Sequence, residues 1–363
     1  MIRIGIVGVG YNIGIANFHF KAFKRLEGVE ITAVYDLKKG NAEDYIQRYE
    51  LPDAVATDTY EELLERCDAV VICTRNNSHV DLSIQALEAG KHVLCEKPLG
   101  VNEEDAKRLV DVVRKSDRVF QIGLCYRNIP AYRYLRSLKE NGELGEVFYV
   151  RMCHTAPRIG SPLVKLEWRL QRETSGSGAL GDFGSHILDL LDWIFAEGKG
   201  SFTRGQAMLT TVIKERQRED SRETAPVEND DIAMFNLRVG EMPVTVLASR
   251  IGGPGNFMEV YASKANVVYS GAEAFSLKIQ KRDEKTGALG DYETVSVPEE
   301  FYTPDPSAPR IGFEINFYGQ AYEFIDCIRY GKTPGTGIER AVYIQHIVDT
   351  LERSAFEGKE LEF

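Results

Sequence analysis

The 363-residue sequence has no run approaching the ~20 consecutive apolar residues that a helix needs to cross a bilayer, which excludes a helical membrane protein. No basic segment precedes a signal-like apolar stretch near Met1, so a cytoplasmic protein is expected. The six cysteines, Cys67, Cys73, Cys95, Cys125, Cys153 and Cys327, form no CxxC pair, which argues against a structural zinc; no metal site is expected. The first four lie in or just after strand-like runs, the pattern of buried free thiols in a reducing compartment. A basic excess is also missing. Lys and Arg number 44 against 55 Asp and Glu, a net charge of −11, which argues against a nucleic-acid binder. There is no internal repeat and no low-complexity tract.

What is present fits a two-domain globular chain, with 43% hydrophobic and 27% charged residues. The first 122 residues alternate between two periodicities. Strands are predicted over 2–7, 30–35, 69–73, 92–95 and 119–122. Helices are predicted over 15–26, 41–49, 60–66 (capped by Asp58 or Thr59), 79–89 and from the Asn102 cap to Lys115. This alternation predicts a parallel, doubly wound α/β sheet with right-handed crossovers. The pattern then changes. A helix over 130–141 and a strand over 147–153 lead to an amphipathic helix over 184–195. Within 207–297 come antiparallel strands, among them 233–239, 244–251, 257–262 and 267–269, and helices over 313–330 and 338–356 close the chain. The expected division is a dinucleotide-binding domain over 1–122 and an α+β domain over 123–363, with an open, mostly antiparallel sheet and closing helices able to pack back on the first domain. Residues 214–231 hold eleven charges in eighteen positions and read as a solvated loop. Residues 303–310, with three prolines, read as a stiff connector.

Gly8-Val9-Gly10-Tyr11-Asn12-Ile13-Gly14 follows the first strand and opens a helix. Such glycines let the backbone approach a pyrophosphate at the helix N-terminus. The spacing is GxGxxxG, one residue longer than the common fingerprint. Asp36 ends the second strand, where an acid accepts hydrogen bonds from the adenosine ribose hydroxyls and repels a 2′-phosphate. NAD is therefore favoured, and Lys38 and Lys39 keep NADP as the lesser choice. Thr74 and Asn76, after the third predicted strand, are candidates for the diphosphate or ribose, and His79 opens the next helix.

The run His92-Val93-Leu94-Cys95-Glu96-Lys97-Pro98 ends a strand of the same sheet. Ligands bind beyond the carboxyl ends of such strands. Lys97 is thereby placed to polarise an alcohol or carbonyl, which suggests hydride transfer. Further on, Asp182 and His186 are four apart, one face of a helix, behind a glycine-rich segment that permits close approach to another surface.

The order of these motifs resembles the Gfo/Idh/MocA oxidoreductases, the glucose–fructose oxidoreductase and inositol dehydrogenase family, over nearly the whole chain. Glu96-Lys97-Pro98 matches its EKP signature, and Gly178 to Asp189 matches its segment with an aspartate and a histidine. Trp168-Arg169 resembles its WR pair, and Tyr126-Arg127 the opening of its second domain. The resemblance implies a Rossmann domain and an open-sheet domain with the nicotinamide between them. It implies a cis Lys97–Pro98 bond. By the same resemblance Lys97, Asp182 and His186 are catalytic, with Tyr126 and Arg127 at the substrate. Gly8, Gly10, Asn12, Ile13, Asp36, Thr74, Asn76, His79, Glu96, Trp168 and Arg169 would line the cofactor. A sugar or polyol substrate and a homodimer or homotetramer formed through the second sheet are implied too. Two other readings of the same scaffold stay open, a non-catalytic NAD-binding regulator and an NAD-dependent glycosidase with transient oxidation. A semialdehyde-type dehydrogenase would need a reactive thiol, and Cys95 and Cys125 lack the helix-start setting that lowers a thiol pKa.

Overall fold

The protein is described by a computed structural model at residues 1–10, 14–196, 202–253, 255–273, 275–305, 307–310 and 312–363. It divides into two compact units, one of residues 1–125 and 303–342, the other of residues 126–302 and 343–363.

In the first unit the strands are β1 (Ile2–Val7), β2 (Val29–Tyr35), β3 (Val55–Ala56), β4 (Ala69–Ile72), β5 (His92–Cys95) and β6 (Phe120–Ile122). They pair in parallel in the order β3-β2-β1-β4-β5-β6. The order reverses beside β1, the point where doubly wound sheets bind ligands. β4 is buried at all four residues because helices cover both faces. The helices are α1 (Ala16–Phe23), α2 (Asn41–Tyr49), α3 (Tyr60–Arg66), α4 (His79–Glu88) and α5 (Glu103–Lys115). Of the two candidate caps, Thr59 starts α3, its side chain accepting from the Glu62 amide at 3.2 Å. Asn102 caps α5 in the same way, at 2.8 Å from the Asp105 amide.

In the second unit, α6 (Pro130–Glu140) and β7 (Val147–Thr155) precede the short helix α7 (Arg172–Ser175) and the long helix α8 (Ser185–Phe195). The strands that follow are β8 (Phe202–Thr210), β9 (Glu215–Gln217), β10 (Thr224–Pro226), β11 (Ile232–Val239), β12 (Met242–Ser249), β13 (Gly255–Ala262), β14 (Ala265–Ser270), β15 (Ser276–Arg282) and β16 (Leu289–Ser296), with β17 (Leu361–Glu362) near the end of the chain. Nine strands form one sheet in the order β16-β15-β14-β13-β7-β12-β11-β8-β17. Among the described residues its parallel pair is β7 with β12, and its other pairs are antiparallel. Alternation puts Ala233, Phe235, Leu237 and Val239 of β11 inside and leaves Met234 partly exposed. Helix α8 was expected to be amphipathic. It is instead buried on nearly every side, its polar residues Ser185, His186, Asp189 and Asp192 included.

Two charged or proline-rich segments take ordered roles. Residues 214–231, expected as a solvated loop, contain the β9–β10 hairpin. Arg216 within it is 1% exposed and donates to the carbonyls of Ile159, Ser161 and Val164. A buried guanidinium needs partners for its donors, and three backbone acceptors serve its two terminal nitrogens. In the first unit, Tyr318 donates to Asp305 at 2.6 Å, which fixes the connector on α9 (Glu314–Tyr330). Helix α9 packs on α1. Phe18 stacks on Phe317 at 5.1 Å, and Lys21 pairs with Glu314 at 2.8 Å. The last helix is α10 (Ile338–Glu357).

Candidate active site

The glycine turn of the first unit fits a pyrophosphate cradle. Gly8 has φ +87°, and a Cβ there would meet Cys73 and Thr74 backbone at 2.8 Å. A Cβ on Gly10 would meet the Asn41 amide nitrogen at 2.3 Å. Asp36 binds this turn. Its Oδ2 accepts from the Gly10 amide at 2.8 Å, and its Oδ1 accepts from the Lys38 amide at 2.9 Å and from Asn41 at 2.8 Å. Three of roughly four carboxylate acceptor sites are thus engaged by the protein. Thr74 stands just past β4 and accepts from Ser78 at 2.7 Å, while Asn76 is buried. Asn12 and Ile13 lie outside the described residues.

Lys97 follows β5 on a cis Lys97–Pro98 bond, as the resemblance implied. Two expected cofactor residues near it make contacts within the protein. Glu96 accepts from His19 at 2.7 Å, and its second oxygen faces the Lys97 amide at 3.3 Å. His79 is 1% exposed, with Nδ1 2.8 Å from the Pro98 carbonyl and Nε2 3.3 Å from that of Thr74. A ring enclosed by backbone acceptors ties these two turns together. Burial lowers its pKa below the ordinary histidine value.

In the second unit a π-helical turn, Leu180–Gly184, carries Asp182 and runs directly into α8, whose second residue is His186. Such π turns occur often at functional sites. Gly178 begins the segment, and a Cβ there would lie 2.0 Å from the Asp230 carbonyl oxygen. The Asp230 carboxylate accepts from the Gly178 and Leu180 amides at 2.7 and 2.9 Å. Burial pushes the Asp230 carboxyl above the usual range, with Arg250 opposing it. Arg250 in turn donates to the carbonyls of Asp230 and Arg169. The same braces therefore hold the Asp182–His186 segment and the Trp168-Arg169 pair. The Arg169 guanidinium lies 4.2 Å from the Trp168 ring, and the buried Trp168 indole N–H finds no acceptor among the described residues.

Tyr126 stacks face to face on His186, with ring centroids 4.0 Å apart and planes 5° from parallel. Its hydroxyl lies 3.3 Å from His154 Nε2, and His154 packs against Phe183 at 4.4 Å. His154 and Phe183 were not anticipated, because nothing local marks a strand histidine as a neighbour of a helix 30 residues on. Arg127, expected at the substrate, forms a two-bond ion pair with Asp189 at 2.7 and 2.5 Å. Asp189 is 1% exposed, and a carboxylate so buried requires a paired, hydrogen-bonded cation. Cys95 and Cys125 are both buried, and burial raises the Cys95 thiol far above the thiolate range. Neither suits a nucleophile. No group of metal-ligating side chains occurs among the described residues. A cavity of about 580 Å³ in the second unit, between the end of α6 and β14–β16, is lined by none of the candidate residues.

A 3-2-1-4-5-6 parallel sheet with a glycine turn and a strand-end acid has the form of a dinucleotide-binding unit, and an open-sheet unit follows it along the chain. Residues 2–124 match the family described as oxidoreductase family, NAD-binding Rossmann fold, and residues 132–268 match the GFO/IDH/MocA C-terminal domain. The chain is 28% identical to levoglucosan dehydrogenase of Pseudarthrobacter phenanthrenivorans, covering 79% of this chain and 77% of that protein. It is 28% identical to glucose-6-phosphate 3-dehydrogenase of Bacillus subtilis, covering 74% of each. A solved structure of levoglucosan dehydrogenase in complex with NADH and L-sorbose superposes with a TM-score of 0.88 at 23% identity, covering 99% of this chain and 98% of that one. The chain belongs to the Gfo/Idh/MocA family of NAD-binding oxidoreductases.

Proposed function

We propose that the protein interconverts a secondary hydroxyl and a ketone on a sugar or polyol, with NAD preferred over NADP. Bound NAD would supply the acceptor for a hydride from the carbinol carbon, with Gly8, Gly10 and Asp36 among the residues that would hold it. The observation that carries the reading is His186, buried on a glycine-braced π-to-α junction one turn after Asp182 and backed by Tyr126. Neutral His186 accepts the hydroxyl proton; a histidine titrates near working pH, and such transfer typically contributes ~10²–10⁴-fold in rate. The Lys97 ammonium stabilises the developing alkoxide. Asp182 accepts a hydrogen bond from a neighbouring hydroxyl and so orients the ring. Trp168 and Arg169 contact cofactor or substrate, the unmet indole N–H supplying a donor. Gly8, Gly10 and Asp36 serve the dinucleotide. The names of the relatives, for levoglucosan and glucose 6-phosphate, support a carbohydrate substrate.

The test is NADH formation with a panel of levoglucosan, glucose 6-phosphate, glucosides and myo-inositol. Turnover of at least one is expected, with Lys97→Ala and His186→Ala binding NAD yet losing most activity. Near-full activity in both variants ends the assignment. Hydrolysed product without accumulating NADH turns it to a glycosidase, and NAD binding without turnover of any sugar to a regulator.

We infer further that a second copy covers the outer face of the nine-stranded sheet. Met208 (55% exposed), Met234, Tyr292 and the stacked Tyr149–Tyr261 pair supply apolar surface there. Light scattering of Met208→Glu/Met234→Glu against wild type tests this; an unchanged mass refutes it. The six cysteines are all buried and none is joined in a disulfide, which supports a cytoplasmic location.

A further inference from the structure

Two buried histidines grip the turn that presents Lys97, one from each side. His19, on α1, is 0% exposed and donates from Nε2 to Glu96 Oε1 at 2.7 Å. Its ring is fixed by an edge contact with Phe317 at 5.1 Å. The Glu96 carboxylate cannot swing away on the far side, because Gly123 packs against it; a Cβ there would lie 2.9 Å from the carboxylate carbon. His79, at the start of α4, holds the Pro98 carbonyl at 2.8 Å and faces the Thr74 carbonyl at 3.3 Å. A neutral ring has one N–H, and the shorter contact takes it, so His79 donates from Nδ1. Thr74 in turn abuts Gly8. The residues before and after Lys97 are therefore each tied to an element of the dinucleotide cradle, the helix that follows the glycine turn and the end of β4.

We propose that His19 and His79 are positioning residues for Lys97, holding its turn in register with the bound dinucleotide through one specific N–H each. The proposal rests on the reading of Lys97 as catalytic. A buried imidazole that commits its N–H to one acceptor fixes where that acceptor lies, whereas an apolar side chain of the same volume would fill the space and leave the acceptor unmet. Neither ring reaches solvent, and neither is a ligand to substrate. The required atoms differ between the two sites. A glutamine reproduces the reach of Nε2, and an asparagine that of Nδ1.

The test compares His19→Leu, His19→Gln, His19→Asn, His79→Leu, His79→Asn and His79→Gln with Lys97→Ala, using NAD and the best sugar of the panel. For the leucine variants, kcat is expected to fall by about tenfold or more, with KM and the NAD dissociation constant, from protein fluorescence quenching, within about threefold of wild type. Gln at 19 and Asn at 79 restore kcat to within about threefold of wild type, and the exchanged pair, Asn at 19 and Gln at 79, does not. Ring nitrogen NMR of the wild-type protein is expected to show the Nε2–H form of His19 and the Nδ1–H form of His79. If Lys97→Ala is inactive but the leucine variants keep their kcat, the proposal alone is overturned. If Lys97→Ala is active, the reading of Lys97 falls and the proposal with it. Where a leucine variant does not fold, the Gln and Asn exchange decides. Equal impairment by both amides at a site, or the opposite tautomers, refutes the proposal.

Discussion

The phenol ring of Tyr126 lies flat on the imidazole of His186, 4.0 Å away, and its hydroxyl reaches toward His154 at 3.3 Å. Stacked aromatic pairs contribute roughly 0.5–1.5 kcal/mol beyond buried area, and here the stack also fixes the plane of the proposed base. Tyr126→Phe keeps the stack and loses the hydroxyl contact. Tyr126→Leu loses both. The expected order of kcat/KM is wild type, then Phe within about threefold, then Leu lower by about tenfold or more. Equal activity of Leu and wild type removes Tyr126 from the site.

Arg127 and Asp189 form a buried pair whose loss on one side strands a charge. Arg127→Ala is expected to cost about 3–5 kcal/mol of stability. The double replacement Arg127→Met/Asp189→Leu recovers most of that loss, because apolar residues of similar volume leave no charge unmet. Chemical denaturation of the three variants measures it. An Arg127→Ala protein as stable as wild type, with a raised KM for sugar, would return Arg127 to the substrate.

Asp36 is the residue proposed to favour NAD over NADP. Replacing it by serine removes the carboxylate that braces Gly10 and opposes a 2′-phosphate. The ratio of kcat/KM for NAD over NADP is expected to fall by about tenfold or more, a change of roughly 1.4 kcal/mol. An unchanged ratio assigns cofactor choice elsewhere.

Stability depends on pH through His79. Burial depresses its folded pKa below the unfolded value near 6.5, so the unfolded chain binds a proton that the folded one refuses. The contribution of His79 is full above that unfolded value and is lost as pH falls below it. His92, lowered by burial and then by Arg118, acts in the same direction. Urea midpoints are expected to drop from pH 7.5 to 5.5, and His79→Asn to drop less. The difference is bounded by about 1.4 kcal/mol per pH unit for one group. Identical slopes contradict a buried, neutral His79.

Local pattern sufficed for the parts of the molecule built from near neighbours. The strand–helix alternation, the Asn102 cap, a cap at Asp58 or Thr59, the glycine turn with Asp36 and the turn bearing Lys97 are all readable along the chain. Partnerships across long separations were not. Arg127 looks like any exposed cation until Asp189 is found 62 positions later. His19 and Glu96 are 77 apart. Arg216 sits in a run of charges that periodicity marks as solvated, yet it anchors three carbonyls of the loop around Ser161. A polar residue carries no sequence sign of the acceptor that will bury it. Helix α8 misled for a related reason, since three aspartate or histidine positions on its polar side are covered rather than solvated.

Lys97 and His186 are proposed to act in one chemical step. A double-variant cycle with Lys97→Met and His186→Asn, read as kcat/KM for NAD-dependent sugar oxidation, tests it most directly. Each single replacement is expected to lower the value by ~10²–10⁴-fold, with NAD binding retained. The double variant is expected to be worse than the poorer single by less than about tenfold, because groups that serve the same step as a unit are not additive. Losses that multiply in the double variant, or either single variant working near the wild-type rate, would contradict it.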